Sequence, residues 1–280
     1  MRWEEQVMER KITWKKIWEW EPARLSFLIK STYDMLPTPV NLLRWKISED
    51  NKCKCGKIGT LRHILSACPL GLKERFTWRH NEVLRVFSKY LKEKIKQINE
   101  GKIPTTEVKK KINFVKQGSN VKRITSGTSK VEDIRWRGFW EIKADLDSQL
   151  VFPVMMTEKR PDLVVWSSDR KHLIILELTV PWEDNIKDAE YRKEKRYEDL
   201  VNACKEKGWE TEYYHLAVGC RGYVQNKTRK LLQNRFKIES INLKRMIKEL
   251  QEAAEKASFF IWIKRDDECW LESTSNKASA

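Results

Sequence analysis

The apolar positions of this chain change their period near its middle. Up to about residue 100 they recur at helical spacing. Trp14 and Trp18 sit four apart, Leu25, Leu28 and Ile29 continue the pattern, and Pro37 and Pro39 end it. The most regular stripe is Val83, Leu84, Phe87, Leu91, Ile95 and Ile98 with Lys or Glu elsewhere, which predicts an amphipathic helix over 80–98. From Gly101 to about Ser129 the composition shifts to Gly, Pro, Ser, Thr and Lys, as expected of a junction. Beyond it, apolar runs at 150–156, 163–166, 172–180 and 213–218 have strand length and composition. Helices are expected over about 185–206, 224–236 and 241–264. The whole reads as α+β, helical first and mixed later.

Charge adds a partner class to this outline. The 280 residues carry 56 Lys+Arg against 40 Asp+Glu, a formal charge of +16 spread along the chain. Distributed positive charge favours a polyanion, usually nucleic acid. Thirteen Trp residues interleaved with basic ones could stack on bases, although most Trp simply packs. In RFTWRHN, Arg75, Trp78 and Arg79 are the candidate nucleic-acid contacts. No apolar run approaches about 18 residues and the first residues have no signal-peptide character, so an intracellular protein without a membrane partner is expected.

Six Cys are too few for a disulfide scaffold, and three of them crowd around His63. The segment CKCGKIGTLRHILSAC has the order C-x-C-x7-H-x4-C. Thiolate and neutral imidazole are the ligands tetrahedral zinc prefers, so Cys53, Cys55, His63 and Cys68 form a candidate zinc site. Gly56 relieves the turn between the first two, and Thr60 can cap a short helix presenting His63 and Cys68. One residue between Cys53 and Cys55 is tighter than usual, and three buried thiols with a satisfied His is the alternative. Cys204, Cys220 and Cys269 show no such clustering.

The segment RPDLVVWSSDRKHLIILELTVPWE reads as a hairpin with its turn around Ser167–Arg170. Centring that turn places Asp162 opposite Ile175, with Glu177 two residues further along on the same face. Diagonal neighbours roughly 7–8 Å apart could share a divalent ion. Glu177 interrupts the apolar run LIILELTV, and a carboxylate there is costly to bury unpaired. The following helix has an apolar stripe of Ala189, Tyr197, Leu200 and Cys204, completed by Lys193. Two carboxylates and an inward lysine are the equipment of metal-assisted phosphodiester hydrolysis. A structural salt bridge, with Lys193 snorkelling outward, is the alternative.

With these residues assembled, the chain from about Phe27 to Trp270 resembles the C-terminal part of a site-specific non-LTR retrotransposon protein with a restriction-enzyme-like endonuclease. The supporting segments are FLIKSTYDMLPTPVNLLRW, CKCGKIGTLRHILSAC with RFTWRHNEVL, INFVKQG, RPDLVVW, LELTVPWE, YRKEKRY and LAVGCRGYV. The resemblance implies a helical thumb-like or linker region over 1–50, and a CCHC zinc knuckle with its following helix over 51–100. A junction over 101–130, the endonuclease domain over 131–270 and a flexible tail over 271–280 complete the division. It implies a PD-(D/E)xK fold, a mixed sheet flanked by helices, with Asp162 and Glu177 binding Mg2+ or Mn2+ and Zn2+ in the knuckle. The usual lysine position holds Thr179, and the relocated lysine corresponds to Lys193 in a K-x-x-K-Y pattern that reads Lys193, Arg196, Tyr197 here. Glu183 is an auxiliary candidate. Target DNA is the implied partner, with element RNA and a separate reverse-transcriptase-bearing protein as further ones, and the setting is nuclear. The chain has no Tyr/Phe-x-Asp-Asp polymerase signature. Two rivals stand beside the nuclease: a catalytically inactive nucleic-acid-binding remnant, and a non-enzymatic interaction protein stabilised by zinc.

Overall fold

In the computed structural model, residues 3–72, 74–102, 104–109 and 128–267 are described. INFVKQG, Cys269 and the tail lie outside them. The N-terminal third is a series of short helices: α1 (Trp14–Glu19), α2 (Pro22–Thr32), α3 (Pro39–Arg44) and α4 (Leu61–Ser66). Trp14 and Trp18 have helical spacing but are 78% and 85% exposed, so their stripe covers no core. Pro39 opens α3 rather than ending a helix. It stands in the first turn, where a missing N–H costs nothing, and the Thr38 hydroxyl accepts from the Asn41 N–H.

The 80–98 stripe lies within the longer helix α5 (Arg75–Asn99), and all six of its apolar residues are buried. Removing each such side chain from water contributes about 1.5–3 kcal/mol. Strands β1 (Thr105–Lys109) and β2 (Thr128–Glu132) pair antiparallel within the stretch expected as a junction. The main sheet has the order β3-β4-β5-β6, from β3 (Glu141–Ala144), β4 (Leu163–Ser167), β5 (His172–Thr179) and β6 (Glu210–Ala217). β5 and β6 run parallel, joined by the crossover helix α6 (Ile186–Glu206), and the other pairs are antiparallel. Helices α7 (Asn226–Asn234) and α8 (Ser240–Ile263) follow. This is an α+β protein with a four-stranded mixed sheet.

Strand alternation divides the core into two layers. Leu163, Val165, Ile174, Leu176, Leu178 and Leu216 pack with α5 and α8. Val164, Leu173 and Ile175 face α6, where they meet Tyr197, Leu200 and Cys204. The run 150–156 forms no strand. Leu150 and Phe152 are buried against the α6 layer, but Pro153 has no N–H for a ladder. In the main sheet the strand unseen in sequence is β3, whose four residues EIKA have only partial burial to give them a period. Among the described residues no helix is long and apolar enough to cross a membrane.

Candidate functional site

Two clusters of chemically capable side chains emerge from this fold. In the first, Cys53 and Cys55 lie on a tight turn: Gly56 adopts a φ of +79° and its N–H donates to the Cys53 carbonyl at 2.8 Å. A Cβ there would strain the turn. Thr60 caps α4 by accepting from the His63 N–H at 3.1 Å, which fixes the histidine in the first turn. Cys68 lies just past the helix, opening a 3-10 turn, rather than on it. The four ligand atoms fall within 4.8 Å of one another. Cys53 Sγ is 3.8 Å from Cys68 Sγ, and Cys55 Sγ is 3.1 Å from His63 Nε2. Bonds of ~2.3 Å in a tetrahedron give S···S edges of about 3.8 Å, so the group could hold a metal ion such as zinc. Burial pushes the Cys68 thiol up to about 11, with Cys53 adding to the rise. Burial and Lys57 hold His63 below its ordinary value, in the neutral state a metal ligand needs.

The second cluster gathers at one end of the sheet. Leu163 pairs with Leu176 and Val164 with Ile175, so Asp162 lies across from Glu177. The hairpin is two residues out from the expected register because its loop comprises residues 168–171, closed by Lys171 at a φ of +48°. The carboxylates are therefore closer than a diagonal pair. They latch the strand ends reciprocally: the Asp162 N–H donates to Glu177 Oε2 at 3.2 Å, and the Leu178 N–H to Asp162 Oδ2 at 2.7 Å.

Glu177 is 1% exposed, and Lys193 of α6 hydrogen-bonds its Oε1. The lysine thus turns inward rather than snorkelling away. Burial, and then Asp162, push the Glu177 carboxyl up to about 7 despite that lysine. Tyr197, one turn beyond Lys193, is buried, stacks on Tyr213 and donates to the Arg160 carbonyl at 2.7 Å. Arg196 is exposed, with its guanidinium 5.9 Å from the Tyr197 ring.

Two expected residues go elsewhere. Glu183 is fully buried, with both oxygens engaged by Arg221: the backbone N–H on Oε1 at 2.9 Å and Nε on Oε2 at 2.7 Å. A Cβ on Gly219 would lie 2.4 Å from that carboxylate, so the glycine in LAVGCRGYV makes the close approach possible. Glu183 is a clamp between loops, not an auxiliary to the acid pair. Arg79 is 2% exposed, donating to the Leu65 and Val180 carbonyls and to Ser258, and so is not a surface contact for nucleic acid. Arg75 donates to the Arg265 and Asp267 carbonyls, and Trp78 packs edge-on to Phe260. These three residues tie the start of α5 to its neighbours.

The residues passed over in sequence were histidines. His80, next to Arg79, places Nε2 3.2 Å from Asp162 Oδ2. Burial lowers its pKa, but Asp162 more than offsets this and the net shift is upward. His215 lies beside Glu177 in the parallel register and bonds Thr179 Oγ1 at 2.8 Å, so the threonine at the usual lysine position is occupied. Burial holds His215 down to about 4. The chain has four His, and their sequence positions do not say which of them meet the acids. No known protein family matches the chain, and no curated protein matches it either.

Proposed function

We propose that this chain is the metal-dependent DNA endonuclease portion of a non-LTR retrotransposon protein, built on a PD-(D/E)xK-like core with a zinc knuckle beside it. The observation that carries the reading is the contact of Lys193, from the crossover helix, with a buried Glu177 that faces Asp162. Asp162 and Glu177 would hold the divalent ion, Mg2+ or Mn2+, and Cys53, Cys55, His63 and Cys68 the zinc. A divalent ion at the acid pair supplies Lewis-acid polarisation of a phosphoryl oxygen and a bound water of lowered pKa. Lys193 offsets part of the cost of ionising Glu177 and would offer positive charge where the phosphorane develops. The net charge of +16 supports a nucleic-acid substrate, and target-primed reverse transcription, in a nuclear setting, is the process such nicking would serve.

The test is nicking of supercoiled plasmid with Mg2+ or Mn2+, comparing wild type, Asp162→Ala and Lys193→Ala. Asp162→Ala should abolish cleavage while DNA binding persists. Lys193→Ala should retain the ion and lose roughly a hundredfold to a thousandfold in rate. A wild-type protein that nicks nothing with either ion points instead to the inactive, nucleic-acid-binding remnant. Wild-type rates in Lys193→Ala would return the contact to a structural salt bridge.

A further inference from the structure

The acid pair has a third neighbour that arrives from the opposite layer of the sheet. His80 sits in the first turns of α5, with its backbone fixed on one side by the buried side chain of Arg79. Its Nδ1 is 3.2 Å from Asn81 Oδ1. Its Nε2 is 3.2 Å from Asp162 Oδ2 and 3.3 Å from the Leu178 carbonyl oxygen. If Nδ1 carries the proton donated to Asn81, Nε2 presents a lone pair to two oxygens. In that tautomer three electron-rich atoms converge, and either a second ring proton on Nε2 or a metal cation relieves their repulsion.

We infer that His80 Nε2 is a direct ligand of the divalent ion, making the site a His80–Asp162–Glu177 set completed by the Leu178 carbonyl. This rests on the nuclease reading above. Adjacent corners of an octahedron with bonds of ~2.1 Å are about 3 Å apart, close to the spacing of Nε2 from the two oxygens. Donation of the other ring N–H to a side-chain oxygen is also the usual way a ligating histidine is held in its tautomer. The donor set has a chemical consequence. Mg2+ favours oxygen ligands, whereas imidazole is better suited to later divalent ions, so one ring nitrogen among oxygens should favour Mn2+.

Substoichiometric Mn2+ added to zinc-loaded full-length protein tests this, because electron spin echo modulation from 14N reports an imidazole bound to manganese. The wild-type spectrum is read first, so the result does not depend on whether a variant folds. Imidazole modulation is expected, and it should vanish in His80→Gln. That variant keeps an amide N–H able to bond Asp162 but loses the aromatic nitrogen. Its Mn2+ affinity should fall on the order of 10–100-fold, with a smaller loss for Mg2+. Mn2+ bound in an Asp162-dependent way without nitrogen modulation, or modulation surviving in His80→Gln, overturns the ligand role and leaves the nuclease site standing. Mn2+ binding unchanged in both His80→Gln and Asp162→Asn overturns the two together.

Discussion

The Cys/His cluster and the acid cluster solve opposite assembly problems. The first draws its four ligand atoms from the stretch between Cys53 and Cys68, where a glycine turn and one capped helix suffice to bring them together. The second draws on α5, the ends of β4 and β5, and α6, so its geometry exists only when the sheet has its register and both faces are covered. A local cluster needs little from the core and would correspondingly depend on a bound ion for order. A distributed cluster is held by the core, and the core bears the cost of burying Glu177. The difference teaches that, on the proposed reading, loss of metal should be a structural event at one site and an electrostatic event at the other.

Chelation should therefore separate the two regions most strongly. Structural zinc in small sites corresponds to roughly 10–16 kcal/mol of apparent binding energy, whereas residues 51–58 around the Gly56 turn are exposed or half-buried and have little packing of their own. Leu61 and Leu65 of α4 are buried against a cluster that includes Phe259 and Ile261, which gives that helix an anchor the hairpin lacks. Hydrogen exchange after zinc removal should show residues 51–59 losing protection, α4 losing less, and β4, β5 and α6 unchanged. Equal protection with and without chelator would break the contrast.

The next effect concerns Glu183, which sequence placed with the acids and the fold places elsewhere. Glu183→Ala leaves Arg221 buried without its carboxylate, although Trp182 still stacks on the guanidinium at 4.1 Å. Breaking such a pair costs about 3–5 kcal/mol. Denaturant titration should show that loss, while Mn2+ affinity at the acid pair stays near wild type. Intact stability with weakened metal binding would restore Glu183 to the acid site.

These contrasts also explain what was legible in the sequence. The α5 stripe was readable because a 25-residue helix repeats its apolar spacing often enough to fix its face. The Cys/His cluster was readable because its spacing is itself the geometry. Glu177 and Lys193 were readable as anomalies, charged residues on otherwise apolar faces, and Asp162 from the hairpin it shares with Glu177, but the register was not. A loop closed by Lys171 in the left-handed region carries no Gly or Asn to announce it, and a turn centred one residue early put the pairing two residues off. Arg79 misled because a basic residue beside aromatics looks the same whether it contacts phosphate or caps buried carbonyls. His80 was invisible for a stronger reason: its partner lies 82 positions away (162 − 80), on the far side of the predicted junction.

The smallest effect bears on the cost of holding the acid cluster in the core, and its sign is the informative part. Without a divalent ion, Glu177 titrates near 7 in the folded state against an ordinary value of 4.5, because burial and Asp162 disfavour its charge. Its contribution to stability is full below 4.5 and is lost as pH rises through 7. His215 titrates near 4 against an ordinary 6.5, because burial disfavours the imidazolium. Its contribution is full above 6.5 and is lost as pH falls through 4. Between pH 5 and 6.5 the two slopes oppose each other, so the metal-free wild type should have a nearly flat stability profile from this pair. Glu177→Gln removes one slope and leaves that of His215, a loss of about 2 kcal/mol as pH falls from 6.5 to 5, against which the raised His80 works in the opposite sense. His215→Asn removes the other, leaving one that loses about 2 kcal/mol as pH rises over the same interval. Denaturant titrations at several pH values read both signs directly, with saturating zinc keeping the Cys/His cluster loaded. Added Mn2+ should flatten the His215→Asn slope, because an ion bound at Asp162 and Glu177 removes the preference for a protonated Glu177. Slopes of the same sign in the two variants would mean that the acid cluster is not held against its own charge by the core, and the contrast with the Cys/His cluster would fail there.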